Sequence, residues 1–227
     1  MPDCRSTRSP CAPGRCRVTA ADPAGFRTAL DGNRQAIDEA AQLRAACLVL
    51  VVGGLPPGSR DLAGARARVA EALEELVPYA RQRAVRLALE PLHPLFCAER
   101  SVLSTLAQAL ALAGRFAASD VGVVVDAYHV WWDPGLGEQL ALAGPRIASL
   151  QVCDWITPLP ADVLLGRGMM GDGHIDLPGL SSAVDQAGYR GDVEVEIFNS
   201  GIWNSDPERV LTTLCHRYQK HISPHLP

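Results

Sequence analysis

Residues 121–126 read VGVVVD, a valine-rich run without charge that ends on a carboxylate. Such a run, apolar on both faces, is what a strand shows when helices cover both sides of a parallel sheet. An aspartate at its end is costly to bury unless it is paired, protonated or bound to a cation. Working outward, runs of the same kind stand at Cys47–Val52, Val85–Leu89, Ile147–Val152 and Val193–Ile197. Helical periodicity fills most of the gaps, at Leu62–Ala84, Ser104–Ala117 and Leu180–Ala187, with a shorter piece around Gly137–Ala143. Upstream, Asp22-Pro23 reads as a capping residue followed by proline at the first helical position, with Phe26, Leu30, Ile37, Ala40 and Ala41 at helical spacing behind it. Strands begin every 25 to 45 residues or so, roughly the size of a βα unit. The chain is α/β.

The composition bounds the chemistry. The 227 residues, 48% hydrophobic and 20% charged, suit a globular core and exclude a disordered or fibrous chain. A net charge of −4 gives no electrostatic reason to expect nucleic acid or an anionic membrane as partner. The only lysine is Lys220, which excludes a phosphate-cradling G-K-[ST] loop and disfavours Schiff-base chemistry. Seven cysteines occur without a C-x-x-C pair, so neither a zinc ribbon nor a redox dithiol is supported. With no apolar signal segment or membrane span in view, a reducing, cytoplasmic setting is expected.

Two parallel architectures fit the alternation, the open doubly wound sheet and the closed barrel. The turn Gly53-Gly54-Leu55-Pro56-Pro57-Gly58 lacks the G-x-G-x-x-G spacing of the first. The second places polar groups at the C-terminal ends of several strands, and four are present: Glu90, Asp126, Gln151 and Glu196. Three carboxylates and an amide oxygen suit a hard divalent ion such as Mg²⁺ or Mn²⁺; separate arginine-paired carboxylates are the plain alternative.

Five stretches then carry a family resemblance: LALEPLHP (87–94), VVVDAYHVWWDP (123–134), SLQVCDW (149–155), RGMMGDGHIDLPGL (167–180) and VEVEIFNS (193–200). Together they resemble the sugar phosphate isomerase/epimerase family with the xylose isomerase-like TIM barrel, which includes inosose and ketose epimerases. The resemblance implies a (β/α)8 fold and a divalent cofactor, Mn²⁺ or Mg²⁺ first, with Co²⁺ or Zn²⁺ as alternatives. It implies Glu90, Asp126 and Glu196 as ligands, and Gln151 where the family has histidine. Glutamine offers one neutral oxygen, a weaker donor than imidazole. Glu90 and Glu196 are the implied acid/base pair, moving a proton α to a carbonyl through an enediolate. His129 and Arg167 are implied substrate contacts, with His93 and Trp155 beside them. Asp154 reads as a supporting acceptor, and Gly168, Gly171 and Gly173 read as a mobile or tightly turned loop suited to a lid.

The barrel needs eight strands and five are legible. Three βα units would take roughly 75 to 100 residues, yet only 46 precede Cys47. Residues 1–20 are expected to be an irregular leader, with Arg15–Thr19 at best a remnant of strand three, and 21–227 a single barrel domain lacking strands 1–2 or 1–3. Such a barrel exposes strand edges, so homo-oligomers are expected. The substrate is expected to be a small sugar, sugar phosphate or inosose-like polyol. Two other readings stand beside this one: a barrel remnant without turnover, and a phosphodiesterase like the apurinic-site endonuclease barrels.

Overall fold

The computed structural model describes residues 8–10, as backbone, and 18–226. The chain divides within one strand into two compact units, Met1–Val124 and Val125–Pro227.

The first unit holds β1 (Arg8–Pro10), α1 (Pro23–Leu43), β2 (Cys47–Leu50), α2 (Leu62–Gln82), β3 (Leu87–Leu89), α3 (Leu106–Ala113) and most of β4 (Val121–Asp126). Its strands are parallel, with Arg8 opposite Cys47, Leu48 opposite Leu87, and Leu87 opposite Val121. Each helix starts where its first turn finds an acceptor. The Asp22 carboxylate takes the Gly25 N–H at 2.7 Å, Asp61 takes Gly64 N–H at 2.7 Å, and Thr105 takes Gln108 N–H at 3.2 Å. Thr105 is why α3 starts two residues later than the apolar pattern suggests. The strands β2, β3 and β4 are buried throughout, as their two-sided apolar sequences require.

The second unit continues through α4 (Ala127–Val130), α5 (Leu136–Ala143), β5 (Ile147–Val152), β6 (Asp154–Trp155), β7 (Arg167–Gly168), α6 (Leu177–Gln186), β8 (Val193–Val195), α7 (Ser200–Trp203) and α8 (Pro207–His221). Strands β5 and β8 are parallel with Gln151 opposite Glu194, and β6 and β7 form a short antiparallel ribbon with Trp155 opposite Arg167. The helix α6 begins at Leu177 because Asp176 caps it and Pro178 fits its first turn.

Within the first unit the parallel strands run in the order β1-β2-β3-β4, and within the second β5 lies beside β8. The alternation of strand and helix is that of an incomplete (β/α)8-type barrel. One expectation is corrected: of Arg15–Thr19, residues 15–17 lie outside the described residues, and Val18 and Thr19 form a turn rather than a strand. Val18 N–H donates to Val52 O at 3.0 Å, and Thr19 Oγ1 to Gly54 O at 2.6 Å. The strand before α1 is instead β1, inside the stretch read as a leader. Among the described residues, no helix is long and apolar enough to cross a membrane.

Candidate metal centre

Asp126 is the last residue of β4 and has no exposed surface. Its Oδ1 accepts Tyr128 N–H at 2.9 Å and so starts α4, the single helical turn that carries His129. Three residues after the aspartate, His129 lies on the same side of that turn, with Nε2 3.6 Å from Asp126 Oδ2. Asp126 and His129 are buried together in the second unit, and Glu90, the ligand expected from the first, is buried as well. Asp126 Oδ2 receives no hydrogen bond of sound geometry among the described residues, and neither does the buried Gln151 Oε1. A buried amide oxygen without a donor, beside a carboxylate oxygen met only by an ion pair and an imidazole, is what a hard or borderline divalent cation takes as ligands. The residues present fit such an ion.

Arg167, on β7, is the largest fully buried side chain. Its Nη1 lies 2.9 Å from Asp126 Oδ2, 3.1 Å from Glu196 Oε2 and 3.3 Å from Glu196 O. Its Nη2 lies 3.2 Å from His129 Nε2, and because a guanidinium only donates, that ring nitrogen accepts. The guanidinium is stacked 4.7 Å from the Tyr128 ring and 5.1 Å from Phe198. Arg167 therefore supplies positive charge to two of the expected ligands at once. Glu196 is pushed up to about 7, first by burial and then by Asp126, with Arg167 pulling the other way.

The remaining sequence-expected residues fall as follows. Gln151 is buried on β5, and its Nε2 donates to Glu194 Oε2 at 3.1 Å. Trp155 is buried with its ring 4.6 Å from Tyr128 and 5.6 Å from Trp131, an apolar wall. His93 accepts Leu95 N–H at Nδ1, 3.3 Å away, capping a short turn after β3. Burial holds its pKa below the usual histidine range.

The Asp-x-x-His spacing on one turn sets His129, an expected substrate contact, beside Asp126 as well. Glu194, which the sequence pattern does not single out, stands two residues before Glu196 and opposite Gln151.

The glycine loop after β7 is tightly held. The buried Asp154 carboxylate accepts N–H groups from Gly171 at 2.9 Å, Gly173 at 2.9 Å and Ile175 at 3.0 Å, besides that of Trp155 at 2.9 Å. Gly171 has φ +87°, and a Cβ on Gly173 would stand 2.1 Å from Trp155 O, so both glycines are required. Arg217 of α8 adds an ion pair to Asp172 at 2.7 Å.

Asp154→Asn replaces one accepting oxygen by a donor aimed at backbone N–H groups. It should cost about 3 kcal/mol in urea unfolding, and a loss below about 0.5 kcal/mol would contradict this account. Glu196 gives a pH effect on the metal-free chain. Its proton is held more tightly when folded, so its contribution is fully present below its ordinary value of 4.5 and is lost as pH rises towards about 7. The Tm should fall across that window, and Glu196→Gln should flatten the fall.

Three comparisons bear on this geometry. A 3-dehydroshikimate dehydratase of Pseudomonas aeruginosa is 32% identical over 68% of this chain and 24% of its own length. An L-ribulose 3-epimerase of a Methylomonas species is 26% identical over 87% of this chain and 65% of its own. The chain thus spans less than two thirds of either curated relative. The crystal structure of protein SMc04130 from Sinorhizobium meliloti 1021 superposes with a TM-score of 0.86 and 46% identity, covering 89% of this chain and 74% of that one. The family described as xylose isomerase-like TIM barrel matches residues 8–217. With that match along nearly all of its length, the chain belongs to the xylose isomerase-like TIM-barrel family.

Proposed function

We propose that the chain is a divalent-metal-dependent isomerase or epimerase of a sugar, sugar phosphate or inosose-like polyol, removing and returning a proton α to a carbonyl. The observation that carries this reading is the geometry around Arg167, whose guanidinium joins the Asp126 and Glu196 carboxylates beside His129. A carboxylate in that position can take a proton from a substrate carbon and return it. A divalent ion held there would supply polarisation of the substrate carbonyl, which acidifies the adjacent C–H. Glu90 is the second member of the acid/base pair, and both glutamates, with Asp126 and Gln151, hold the ion. His129 and Arg167 present donors to substrate oxygens, with His93 and the Trp155 wall beside them. The curated relative named L-ribulose 3-epimerase supports the ketose class. The edge strands β1 and β8 support association of copies, and Cys97, Cys153 and Cys215, none of them in a disulfide among the described residues, support a reducing, cytoplasmic setting.

A second reading has one specific observation in its favour, the 32% identity to a 3-dehydroshikimate dehydratase. Dehydration shares the first step: Glu196 would take the proton α to the carbonyl, and the β-hydroxyl would leave as water by receiving that proton from Glu196 as the C–O bond breaks. Exchange of the α-proton with D₂O, followed by NMR on ketoses, ketose phosphates and inososes with Mn²⁺, detects the step common to both. Wild-type protein should exchange one of these substrates, a chelator should stop it, and Glu196→Gln should slow it at least about 100-fold. Undiminished exchange by Glu196→Gln would contradict the assignment. An epimer as product supports the first reading, and a conjugated enone absorbing in the ultraviolet the second.

A further inference from the structure

We infer that Glu194 is a positioning residue that fixes the Gln151 amide with its carbonyl oxygen turned towards the cation. The inference rests on the reading above in which Gln151 is a ligand. An amide has one end that can hold a metal and one that cannot, and the two ends exchange by a half-turn about the last side-chain bond. Imidazole does not share this ambiguity between oxygen and NH₂, so glutamine at this place needs something to choose its orientation.

The pairing of β5 with β8 supplies it. Gln151 stands opposite Glu194 in the register, and the Gln151 amide nitrogen donates to Glu194 Oε2 at 3.1 Å. A carboxylate accepts and does not donate, so the half-turned amide would bring oxygen against oxygen. The NH₂ end is thereby pinned to Glu194. Oε1 is left on the other side of the amide, on a side chain only 5% exposed, without a hydrogen-bond donor among the described residues. A buried acceptor left open in this way is the feature that a cation satisfies.

Glu194 and Glu196 are two residues apart, so they leave β8 in the same direction. The pairing continues beyond the strand, since Glu196 N–H donates to Val152 O at 3.1 Å. One strand end thus carries a ligand, Glu196, and the group that aims another. Donation to a carboxylate also polarises the amide and places more negative charge on its oxygen, which offsets part of the weakness of a neutral donor.

A double-mutant cycle on the full chain tests this, with Mn²⁺ binding measured by electron paramagnetic resonance or calorimetry. Glu194→Gln should weaken Mn²⁺ binding about tenfold when Gln151 is present. In the Gln151→Ala background the same change should cost less than about threefold, because no amide remains to be aimed. Glu194→Asp keeps the charge but shortens the reach, and should lose as much affinity as Glu194→Gln; it also serves the cycle if Glu194→Gln does not fold. An equal loss in both backgrounds, or wild-type affinity in Glu194→Asp, means that Glu194 acts only as a charge and overturns the inference alone. Unchanged binding in Gln151→Ala removes Gln151 from the ligand set and takes the inference with it. A wild-type chain that binds no Mn²⁺ overturns both readings.

Discussion

A carboxylate that cannot reach water is the constraint on which the rest depends. Asp126 ends a strand buried along its whole length, so its charge must be answered from within. Oδ1 is answered by the first turn of α4, and that turn carries His129 to the neighbourhood of Oδ2. The charge at Oδ2 meets the Arg167 guanidinium, which also reaches Glu196. Arginine and a divalent ion therefore have claims on the same oxygens. A side chain held between two aromatic rings and two carboxylates keeps the metal-free site from accumulating unopposed negative charge. An ion that took the carboxylate oxygens would leave the same guanidinium with donors to spare, which is the role proposed for it above.

The loop that follows Arg167 has its own anchor in Asp154. Four backbone N–H groups converge on one buried carboxylate, and a loop tied in that way behaves as a fixed wall rather than a lid. The position of Arg167 is in turn fixed from the other side, where Asn199 Nδ2 donates to Arg167 O at 2.9 Å. Rigid placement of this kind is what proton transfer between fixed groups requires, because a displaced base loses both reach and proton affinity.

Much of this was legible in the sequence. Strands apolar on both faces and helices capped by aspartate announce themselves locally, and Asp22-Pro23 began α1 as read. The same Asp-Pro pair at Asp206-Pro207 begins α8, a helix that is polar on average and buries none of its residues. The four polar strand ends were readable because each breaks an apolar run. What stayed hidden depends on register and on loop geometry. Nothing in the pattern says that Glu194 falls opposite Gln151, that Arg167 turns inward, or that Asp154 gathers the backbone of a loop some twenty residues on, since these are contacts across 14 to 43 positions of chain. The strand before α1 was likewise missed because three residues carry too little periodicity to be seen.

The central claim is that buried oxygens of this chain, rather than arginine alone, are arranged for a divalent ion. Diffraction from crystals grown with Mn²⁺, collected at the manganese absorption edge, tests it most directly. The account predicts one anomalous peak within ligand distance of Asp126, Glu196 and Gln151 Oε1, with Arg167 Nη1 displaced from the Asp126 carboxylate. Crystals that hold no manganese there, with Arg167 still bridging Asp126 and Glu196, would contradict it.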